Sequence, residues 1–407
     1  MRLDHGLHLA YCTNIHPGES WTGTFDALER HVLAVRARVA PGEPYAIGLR
    51  LSDLASRELS DRATLTAFRT WLDRHDCYVF TINGFPFGRF HGTRVKEQVY
   101  APDWTTDARL EYTTRLFDLL AELAPHDSGG SVSTVPVSYK AFIRDELQLA
   151  QARRQIWRAV DHIAALAERT GKDLHLGLEP EPLCVLETSA ETVRFFEALR
   201  QDRPGDDRLD RHLGINYDTC HLAVEYEEAS AALRRLTDAG IRVSKLHLSS
   251  ALRVRPDAAT REALTAFTND RYFHQVVERS GPEPLVRYTD LDVALAAASS
   301  RPPAPDAEWR IHFHIPLHSP ATALFGNTAD HLRDALDVLS QRPGLCRHLE
   351  METYTWEVMP PALKGRSVVD QLANEYAWTL AELGARGIGR ASGGARLHRS
   401  PAAPERA

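Results

Sequence analysis

The chain has 407 residues, of which 43% are hydrophobic, and a net charge of −7 at pH 7. The apolar fraction is ample for a folded core, and the acidic balance makes nucleic acid an unexpected partner. The N-terminus has no apolar stretch typical of a signal peptide, and no run approaches the ~20 apolar residues needed to span a membrane. The five cysteines form no CxxC pair. We therefore expect a cytoplasmic protein with reduced thiols.

Apolar runs and amphipathic segments alternate along most of the chain. The predicted strands are residues 8–14, 45–52, 77–85, 131–138, 174–182, 213–221 and 243–250, and the predicted helices are 24–39, 62–75, 105–124, 146–171, 191–200 and 228–240. The strand runs are almost continuously apolar, which indicates strands buried on both faces with helices packed outside. Seven such strand–helix units in succession predict an α/β fold of the (β/α)8 TIM-barrel class.

Two segments qualify as the eighth strand of the barrel. They are IHFHIPLH (311–318) and HLEMETYTW (348–356). We favour the second because a helical pattern suited to close the barrel follows it. Residues 251–310 are then an insertion within a single domain of residues 1–386. The tail, 387–407, is rich in Gly, Ala, Arg and Pro and is predicted to be disordered.

Acids and imidazoles stand where the predicted strands end. The C-terminal ends of the strands of such a barrel face one mouth. The residues at these ends are Glu179, Glu181, Asp218, His221, His247, His312, His314, Glu350 and Glu352. Alone, each has an ordinary explanation, such as a helix cap at Asp218. Together they predict a metal site, since uncompensated buried charges cost several kcal/mol each, and oxygen and nitrogen donors favour Mn²⁺, Mg²⁺, Co²⁺ or Zn²⁺.

The loop after the third strand, NGFPFGRFHGTRVKEQVYAPDW, is long and rich in aromatic residues. It could close over a ligand as a lid, or form an aromatic core that only seals the barrel. We expect His91 and Lys96 to contact a ligand. His16 and Trp21, after the first strand, could line the same mouth. Aromatic side chains at the strand ends would suit a sugar or cyclitol ring.

The order Glu, DxxH, His and Glu on strands five to eight resembles that of the xylose-isomerase-like TIM barrels. This superfamily includes sugar isomerases, ketose 3-epimerases and endonuclease-IV-type enzymes. The resemblance implies a divalent metal held by Glu179, Asp218, His247 and either Glu350 or Glu352. The two-residue spacing of HFH adds His314 as a candidate ligand. His221 would contact the substrate, and Arg253 stands six residues after His247, where the epimerases carry an arginine.

The resemblance leaves the role of Glu181 open. Xylose isomerases have an ExK pair on strand five, and here the second position is Glu181. The epimerases place a substrate-facing Glu six residues after the metal ligand. Glu187 lies six residues after Glu181, whereas Val185 lies six after Glu179. Either of the two strand-five glutamates could therefore be the ligand, and both Glu181 and Glu187 are candidate catalytic residues.

Longer sequence motifs give a more specific resemblance, to the EboE metabolite traffic family. The resemblance covers residues 1 to about 385 and rests on the runs LAYCTNIHPGESW, TINGFPFGRFHGTRVKEQVYAPDW, LEPEPLCVLET, NYDTCHLAVE and LEMETYTWEV. It implies a role near the export of a small metabolite and a functional link to a membrane-associated export system.

Three functions are consistent with these features. The first is a metal-dependent isomerase or epimerase, in which a glutamate removes a proton next to a carbonyl of a sugar- or cyclitol-like metabolite. The second is a carrier that uses the barrel as a cup without catalysis. The third is a phosphoesterase of the endonuclease IV type, for which His312 and His314 would supply further metal ligands.

Overall fold

Seven strands alternate with helices up to Leu248. The computed structural model describes residues 1–89, 91–92, 94–268, 271–360, 364 and 366–391. The strands are β1 (His8–Tyr11), β2 (Tyr45–Arg50), β3 (Cys77–Asn83), β4 (Gly130–Thr134), β5 (Leu174–Leu178), β6 (Leu213–Asp218) and β7 (Arg242–Leu248). Almost every residue in them is buried. This explains the continuous apolar runs, since both faces of each strand lie in the interior.

A second, antiparallel sheet follows β7. Its strands are β8 (Leu252–Val254), β9 (Val276–Arg279), β10 (Val286–Tyr288), β11 (Glu308–Ile311) and β12 (Gly326–Asn327), and the last strand of the chain is β13 (His348–Met351). The five strands lie in the order β10-β9-β11-β8-β12. The second sheet extends over residues 252–327, and the domain bounds of 1–386 and 251–310 remain predictions.

The large sheet is a nearly closed parallel barrel. Its eight strands lie in the order β1-β13-β7-β6-β5-β4-β3-β2. A parallel bridge between Cys12 and Gly48 brings the two outer strands together. HLEMETYTW is therefore the eighth strand, as predicted, whereas only the first residue of IHFHIPLH belongs to a strand, and that strand, β11, is in the second sheet. The TIM-barrel fold is confirmed.

The helices surround the barrel and the second sheet. They are α1 (Trp21–Ala27), α2 (Leu33–Val39), α3 (Asp53–Leu59), α4 (Arg62–Arg74), α5 (Asp107–Leu123), α6 (Glu146–Thr170), α7 (Ser189–Asp202), α8 (Arg208–His212), α9 (Thr219–Val224), α10 (Ala229–Asp238), α11 (Ala258–Leu264), α12 (Leu291–Ser300), α13 (Ala329–Gln341) and α14 (Val368–Gly384). A wider turn at Leu28–Val32 interrupts the helix predicted over 24–39. No helix within the described ranges is long and apolar enough to cross a bilayer.

The first residues of the predicted tail pack against the N-terminal segment. Ile388 is buried, and Arg390 forms a bridge with Leu3 and donates a hydrogen bond to the carbonyl of Val39 at 2.8 Å. Residues 392–407, to which the rest of the disorder prediction applies, lie outside the described residues.

Three buried histidines occupy the N-terminal end of the barrel, opposite the mouth. His8 is hydrogen-bonded to the Tyr78 hydroxyl at 2.8 Å, His348 is hydrogen-bonded to Ser131 at 2.8 Å, and His175 stacks on His348. Burial lowers the pKa of all three imidazoles, and that of His348 falls to about 4. The folded chain therefore holds them neutral in weakly acidic solution.

We expect this cluster to weaken the fold as the pH falls. The unfolded chain protonates these side chains below about pH 6.5, so the free energy of unfolding drops by about 2 kcal/mol per histidine between pH 7 and pH 5. His175→Leu removes one of the three groups. Urea unfolding in the presence of a chelator measures the free energy of unfolding at each pH. Its decrease between pH 7 and pH 5 should be smaller by about 2 kcal/mol in this variant than in the wild type. If the free energy of unfolding fell equally with pH in the wild type and in His175→Leu, the result would contradict the view that buried His175 is neutral in the folded chain.

Candidate metal centre

Four side chains from neighbouring barrel strands converge at the mouth. Glu179 directly follows β5, Asp218 ends β6, His247 lies in β7 and Glu352 directly follows β13. All four are buried, and one ligand atom from each lies within 4.8 Å of the others. These residues are called the four-residue centre below.

The imidazole of His247 is surrounded by three carboxylates. Its Nδ1 atom lies 3.1 Å from Glu179 Oε1, 3.4 Å from Asp218 Oδ2 and 3.1 Å from Glu352 Oε2. One ring nitrogen carries at most one proton, so hydrogen bonds cannot account for three such contacts. Ligand atoms placed tetrahedrally at 2.0–2.1 Å from a metal ion are about 3.3 Å apart. The spacing therefore fits a shared cation.

Unpartnered carboxylate oxygens support the same conclusion. Glu179 Oε2 and Asp218 Oδ2 are buried and have no hydrogen-bond partner among the described residues. By contrast, Glu352 Oε1 accepts hydrogen bonds from Asn14 at 2.7 Å and Asn83 at 3.1 Å, and these leave Oε2 facing the centre. A buried carboxylate oxygen without a partner costs free energy. A divalent cation at the centre would provide a partner for both Glu179 Oε2 and Asp218 Oδ2. The four residues thus fit a metal ion.

The electrostatics of the centre favour positive charge. Burial opposes ionisation of Asp218, yet His221 and His314 outweigh it and hold the pKa of this carboxyl well below its usual value. Burial also opposes protonation of His247, but the carboxylates, Glu352 foremost, hold the pKa of the imidazole well above its usual value. The carboxylates thus stabilise a cation at this position, whether that is a proton on His247 or a metal ion.

A second layer of charged groups orients His247. Its Nε2 atom lies 2.8 Å from Glu350 Oε2. Lys245 Nζ lies 2.6 Å from the same oxygen and 3.1 Å from Ser133 Oγ. Nε2–H therefore donates to Glu350, and Nδ1 is turned towards the four-residue centre, as in many metal sites. A Cβ atom on Gly48 would lie 2.0 Å from Glu350 Oε1, so this carboxylate can occupy its place only beside a glycine.

The structure thus separates the two pairs of glutamates that the sequence left ambiguous. Glu352 belongs to the four-residue centre and Glu350 lies behind His247. Glu179 also belongs to the centre, whereas Glu181 lies beside it. Tyr100 donates a hydrogen bond to Glu181 Oε1 at 2.7 Å, and burial raises the pKa of this carboxyl to about 7.

A cavity of about 60 Å³ opens above these groups. Its floor is polar, with Asn14, Asn83, Glu179, Glu181, His221, His312 and Glu352, and its walls are mostly apolar, with Phe85, Pro86, Val95, Lys96, Val99, Tyr100, Tyr272, Phe273 and Tyr354. The loop after β3 and the segment between β7 and β13 supply most of the walls. Lys96, a predicted ligand contact, lines the cavity but forms a buried ion pair with Asp290. Phe90 of the predicted lid lies outside the described residues.

The structure does not bring two of the predicted catalytic residues to this cavity. Glu187 forms an ion pair with Lys140, and its carboxylate lies 3.3 Å from Arg287 Nε. Arg253 is in β8 of the second sheet and forms an ion pair with Asp330 at 2.7 Å. Its side chain is partly exposed.

Three predicted substrate contacts are also absent from the cavity lining. His16 stacks on His31 with ring centroids 4.5 Å apart. Trp21 begins α1 and packs edge-on against Phe68 on the outside of the barrel. His91 is buried, and burial lowers its pKa to about 4. Of the residues after β1, Asn14 lines the cavity, whereas His16 is hydrogen-bonded to the Tyr11 hydroxyl and Trp21 begins α1.

Several residues in or beside the cavity were not predicted from the sequence. Asn14 and Asn83 stand at or just after strand ends, as the acids do, but only acids and imidazoles were considered there. Lys245 precedes His247 by two residues and so shares its strand face, which was a usable signal. Tyr100 lies in the aromatic loop that was predicted to close over a ligand, whereas Gln275 had no signal in the sequence. Gln275 lies just before β9 and donates a hydrogen bond to the Tyr100 hydroxyl at 2.8 Å, a contact that only the tertiary structure creates.

Comparison with solved structures supports the fold. The chain is similar to an L-ribulose 3-epimerase, with 13% identity and a TM-score of 0.50 over 95% of this chain and 96% of the other. It is also similar to a xylose isomerase-like TIM barrel protein from Mycobacterium smegmatis in complex with magnesium, with 14% identity and a TM-score of 0.52 over 95% and 99%. At such identities the likeness shows the fold alone, that of a (β/α)8 TIM barrel.

The sequence matches no family model, and no curated protein matches it significantly. The resemblance to the EboE family therefore remains a prediction.

We predict that Lys245 sets the metal affinity of the centre through Glu350. Lys245→Met leaves the buried Glu350 carboxylate without its counter-ion, so the carboxylate takes up a proton or moves away from His247 Nε2. The imidazole then loses the partner that orients it, and we expect the affinity for Mn²⁺ to fall about 10–100-fold. In the double variant Lys245→Met/Glu350→Gln, the amide oxygen can still accept the His247 Nε2–H bond without a charge. Isothermal titration calorimetry should then show affinity restored to within a few-fold of the wild type.

Lys364→Met is the matched control for this cycle, because Lys364 lies outside the cluster and bonds to a backbone carbonyl. Circular dichroism would verify folding of each variant. Unchanged affinity in Lys245→Met, or no recovery in the double variant, would contradict the role assigned to the pair.

Proposed function

We propose that the protein is a divalent-metal-dependent isomerase or epimerase that acts on a small, polyhydroxylated, sugar- or cyclitol-like metabolite. One observation carries the proposal. The four-residue centre lies at the floor of a cavity into which a further carboxyl group, Glu181, also opens. A cation site and a separate proton acceptor within one enclosed space are the parts that proton transfer next to a carbonyl requires.

The four-residue centre would hold the ion. Three carboxylates and one imidazole suit Mn²⁺, Mg²⁺, Co²⁺ or Zn²⁺. An ion bound there would polarise the carbonyl and the adjacent hydroxyl of a substrate and acidify the C–H bond between them. Glu352, rather than Glu350, is the proposed fourth ligand, since Glu350 is already engaged by Lys245 and His247.

Glu181 is the proposed proton acceptor. Tyr100 fixes its Oε1 atom, and Oε2 is buried with no hydrogen-bond partner among the described residues. Gln275 holds the Tyr100 hydroxyl in turn. The carboxylate is therefore positioned but keeps one oxygen for a proton taken from carbon, which it can return to the same or the neighbouring atom.

The rest of the cavity would recognise hydroxyl groups and exclude water. Asn14, Asn83 and His221 line the floor, where their polar groups can reach ring hydroxyls. The aromatic walls limit the entry of water. The described lining residues include one lysine and no arginine, and Asp290 neutralises that lysine, Lys96. The cavity therefore suits a neutral metabolite better than a phosphorylated one.

A phosphoesterase is the second candidate, and one observation favours it. His312 and His314 place two further imidazoles beside the centre, and hydrolysis of phosphoesters commonly uses more than one ion. Hydrolysis of bis(4-nitrophenyl) phosphate by the metal-loaded protein would support this candidate.

The link to metabolite traffic and to an export system rests on the EboE resemblance alone. A carrier of that kind would retain the ligand after loss of Glu181.

We predict that Glu181→Gln separates metal binding from catalysis. Metal-loaded protein in D₂O should incorporate deuterium next to the carbonyl of at least one ketose or inosose in a substrate panel, as measured by NMR. Glu181→Gln should bind metal with wild-type stoichiometry but exchange at least ~100-fold more slowly, since a positioned base contributes about 10²–10⁴-fold. Asp218→Asn should lose both metal and exchange.

The matched control is Glu375→Gln. Glu375 is a buried carboxyl whose pKa burial also raises to about 7, but it accepts a hydrogen bond from Thr353 and does not line the cavity. Its exchange rate should remain that of the wild type. Full metal content in Asp218→Asn, or undiminished exchange in Glu181→Gln, would overturn the proposed roles.

A further inference from the structure

One buried amide joins two groups that line the cavity. Gln275 lies just before β9 of the second sheet and is fully buried. Its Nε2 atom lies 2.8 Å from the Tyr100 hydroxyl, and its Oε1 atom lies 2.8 Å from His312 Nδ1. Tyr100 in turn donates a hydrogen bond to Glu181. The amide therefore connects the proposed proton acceptor to an imidazole that has no role so far in the proton transfer.

A backbone carbonyl fixes the direction of every hydrogen bond in this chain. Gln275 Nε2 also lies 3.3 Å from the carbonyl oxygen of Pro182, which can only accept. That end of the amide is therefore the NH₂ group, and Oε1 faces His312. Because Oε1 can only accept, His312 Nδ1 carries the proton, and Nε2 of the neutral ring is a lone pair. Burial lowers the pKa of His312 well below its usual value, which keeps the ring neutral.

His312 and Glu181 occupy neighbouring positions in the cavity lining. His312 Nδ1 lies 3.6 Å from Glu181 Oε1, and both residues line the cavity. Glu181 Oε2 has no hydrogen-bond partner among the described residues. His312 Nε2 lies 3.5 Å from the hydroxyl of Tyr354 in the cavity wall. A ligand would therefore meet two proton acceptors, one oxygen and one nitrogen, from the same side.

The other carboxylates near the cavity are already engaged. Among the described lining residues the carboxylates are Glu179, Glu181 and Glu352, and two of these belong to the four-residue centre. Glu187, the other predicted catalytic glutamate, is held in ion pairs outside the lining. Inversion at a carbon needs a proton taken from one face and returned to the other, which calls for a base on each side. Transfer between neighbouring atoms needs bases on one side only.

We propose that His312 carries the hydroxyl proton in an isomerisation that moves a carbonyl group to the neighbouring carbon, while Glu181 carries the carbon-bound proton. The proposal rests on the proposed function and narrows it to aldose–ketose isomerisation and its cyclic equivalents, rather than epimerisation. Gln275 is a positioning residue in this scheme, because it fixes the tautomer of His312 and the direction of the Tyr100 hydroxyl.

The proton transfers balance without a co-reactant. Glu181 Oε2 takes the proton from the carbon that bears the hydroxyl next to the carbonyl. The C–H electrons form a carbon–carbon double bond, and the carbonyl π electrons move to oxygen. His312 Nε2 takes the proton of the original hydroxyl, whose O–H electrons form the new carbonyl, and gives it to the former carbonyl oxygen. Glu181 returns its proton to the former carbonyl carbon, so substrate and product are isomers.

Two NMR readouts in D₂O separate the two transfers. Deuterium incorporation next to the carbonyl reports on Glu181, and movement of the carbonyl to the neighbouring carbon reports on His312. The probes are D-fructose and D-ribulose, with the full chain loaded in turn with Mg²⁺ and Zn²⁺. His312→Asn places an amide nitrogen near the position of Nδ1, so it keeps a donor for Gln275 but removes Nε2. We expect isomerisation to slow at least ~100-fold while exchange stays within ~3-fold of the wild type.

His318→Asn is the matched control. His318 lies in the same HFHIPLH run but does not line the cavity, and both rates should remain those of the wild type. Circular dichroism would verify folding. Should His312→Asn not fold, His312→Gln removes the imidazole with a longer amide, and the same separation of the two rates is expected.

The possible results distinguish this assignment from the proposed function. Undiminished isomerisation in the His312 variant, or isomerisation and exchange that slow equally, would overturn the role of His312 and leave metal-dependent proton transfer by Glu181 intact. A wild-type product inverted at one carbon, with the carbonyl unmoved, would overturn it in the same way. Absence of exchange with every probe in the wild type would overturn both proposals.

Discussion

Buried carboxylates in the barrel must each be opposed by positive charge, and the architecture of the mouth follows from this requirement. Glu350 is opposed by Lys245 within the barrel itself. The three carboxylates of the four-residue centre share the single imidazole of His247, which is too little charge for three anions. Glu181 has a tyrosine and histidines nearby but no lysine or arginine, and its pKa is accordingly raised by burial. A cation bound at the four-residue centre would add the missing positive charge.

His247 connects the four-residue centre to the Lys245–Glu350 pair behind it. One ring nitrogen faces Glu350 and the other faces the centre, so any change in the Lys245–Glu350 pair alters the orientation and basicity of the ring. Strand β2 takes part without contributing a polar side chain, because Gly48 provides the space that the Glu350 carboxylate occupies. Gly48, a residue without a side chain, therefore determines where the charge of Glu350 can lie.

The parts outside the barrel determine what the mouth can bind. The loop after β3 and the segment between β7 and β13 form the apolar walls, and they are held together by the Lys96–Asp290 ion pair and by hydrogen bonds from the amides of residues 95 and 96 to the Arg271 carbonyl. The same inserted segment places His312 in the cavity lining and His314 close to Asp218. Barrels of this fold share strand ends, whereas such segments differ in length and content. We therefore expect the choice of ligand to depend on the least regular part of the molecule.

The sequence alone was sufficient for the barrel, its eighth strand and the strand-end residues that converge, because burial on both faces and alternation with helices leave a regular pattern. Asp218 and His247 could be predicted as candidate ligands because every parallel strand ends at the same rim. The position of Glu179 and Glu352, rather than Glu181 and Glu350, around His247 Nδ1, the Lys245–Glu350 pair, and the contact of His221 with His314 needed the tertiary structure. So did the exclusion of Glu187 and Arg253 from the cavity. Strand position places a residue at the rim, but the partner of each side chain depends on contacts between segments up to several hundred residues apart, which spacing along the chain does not encode.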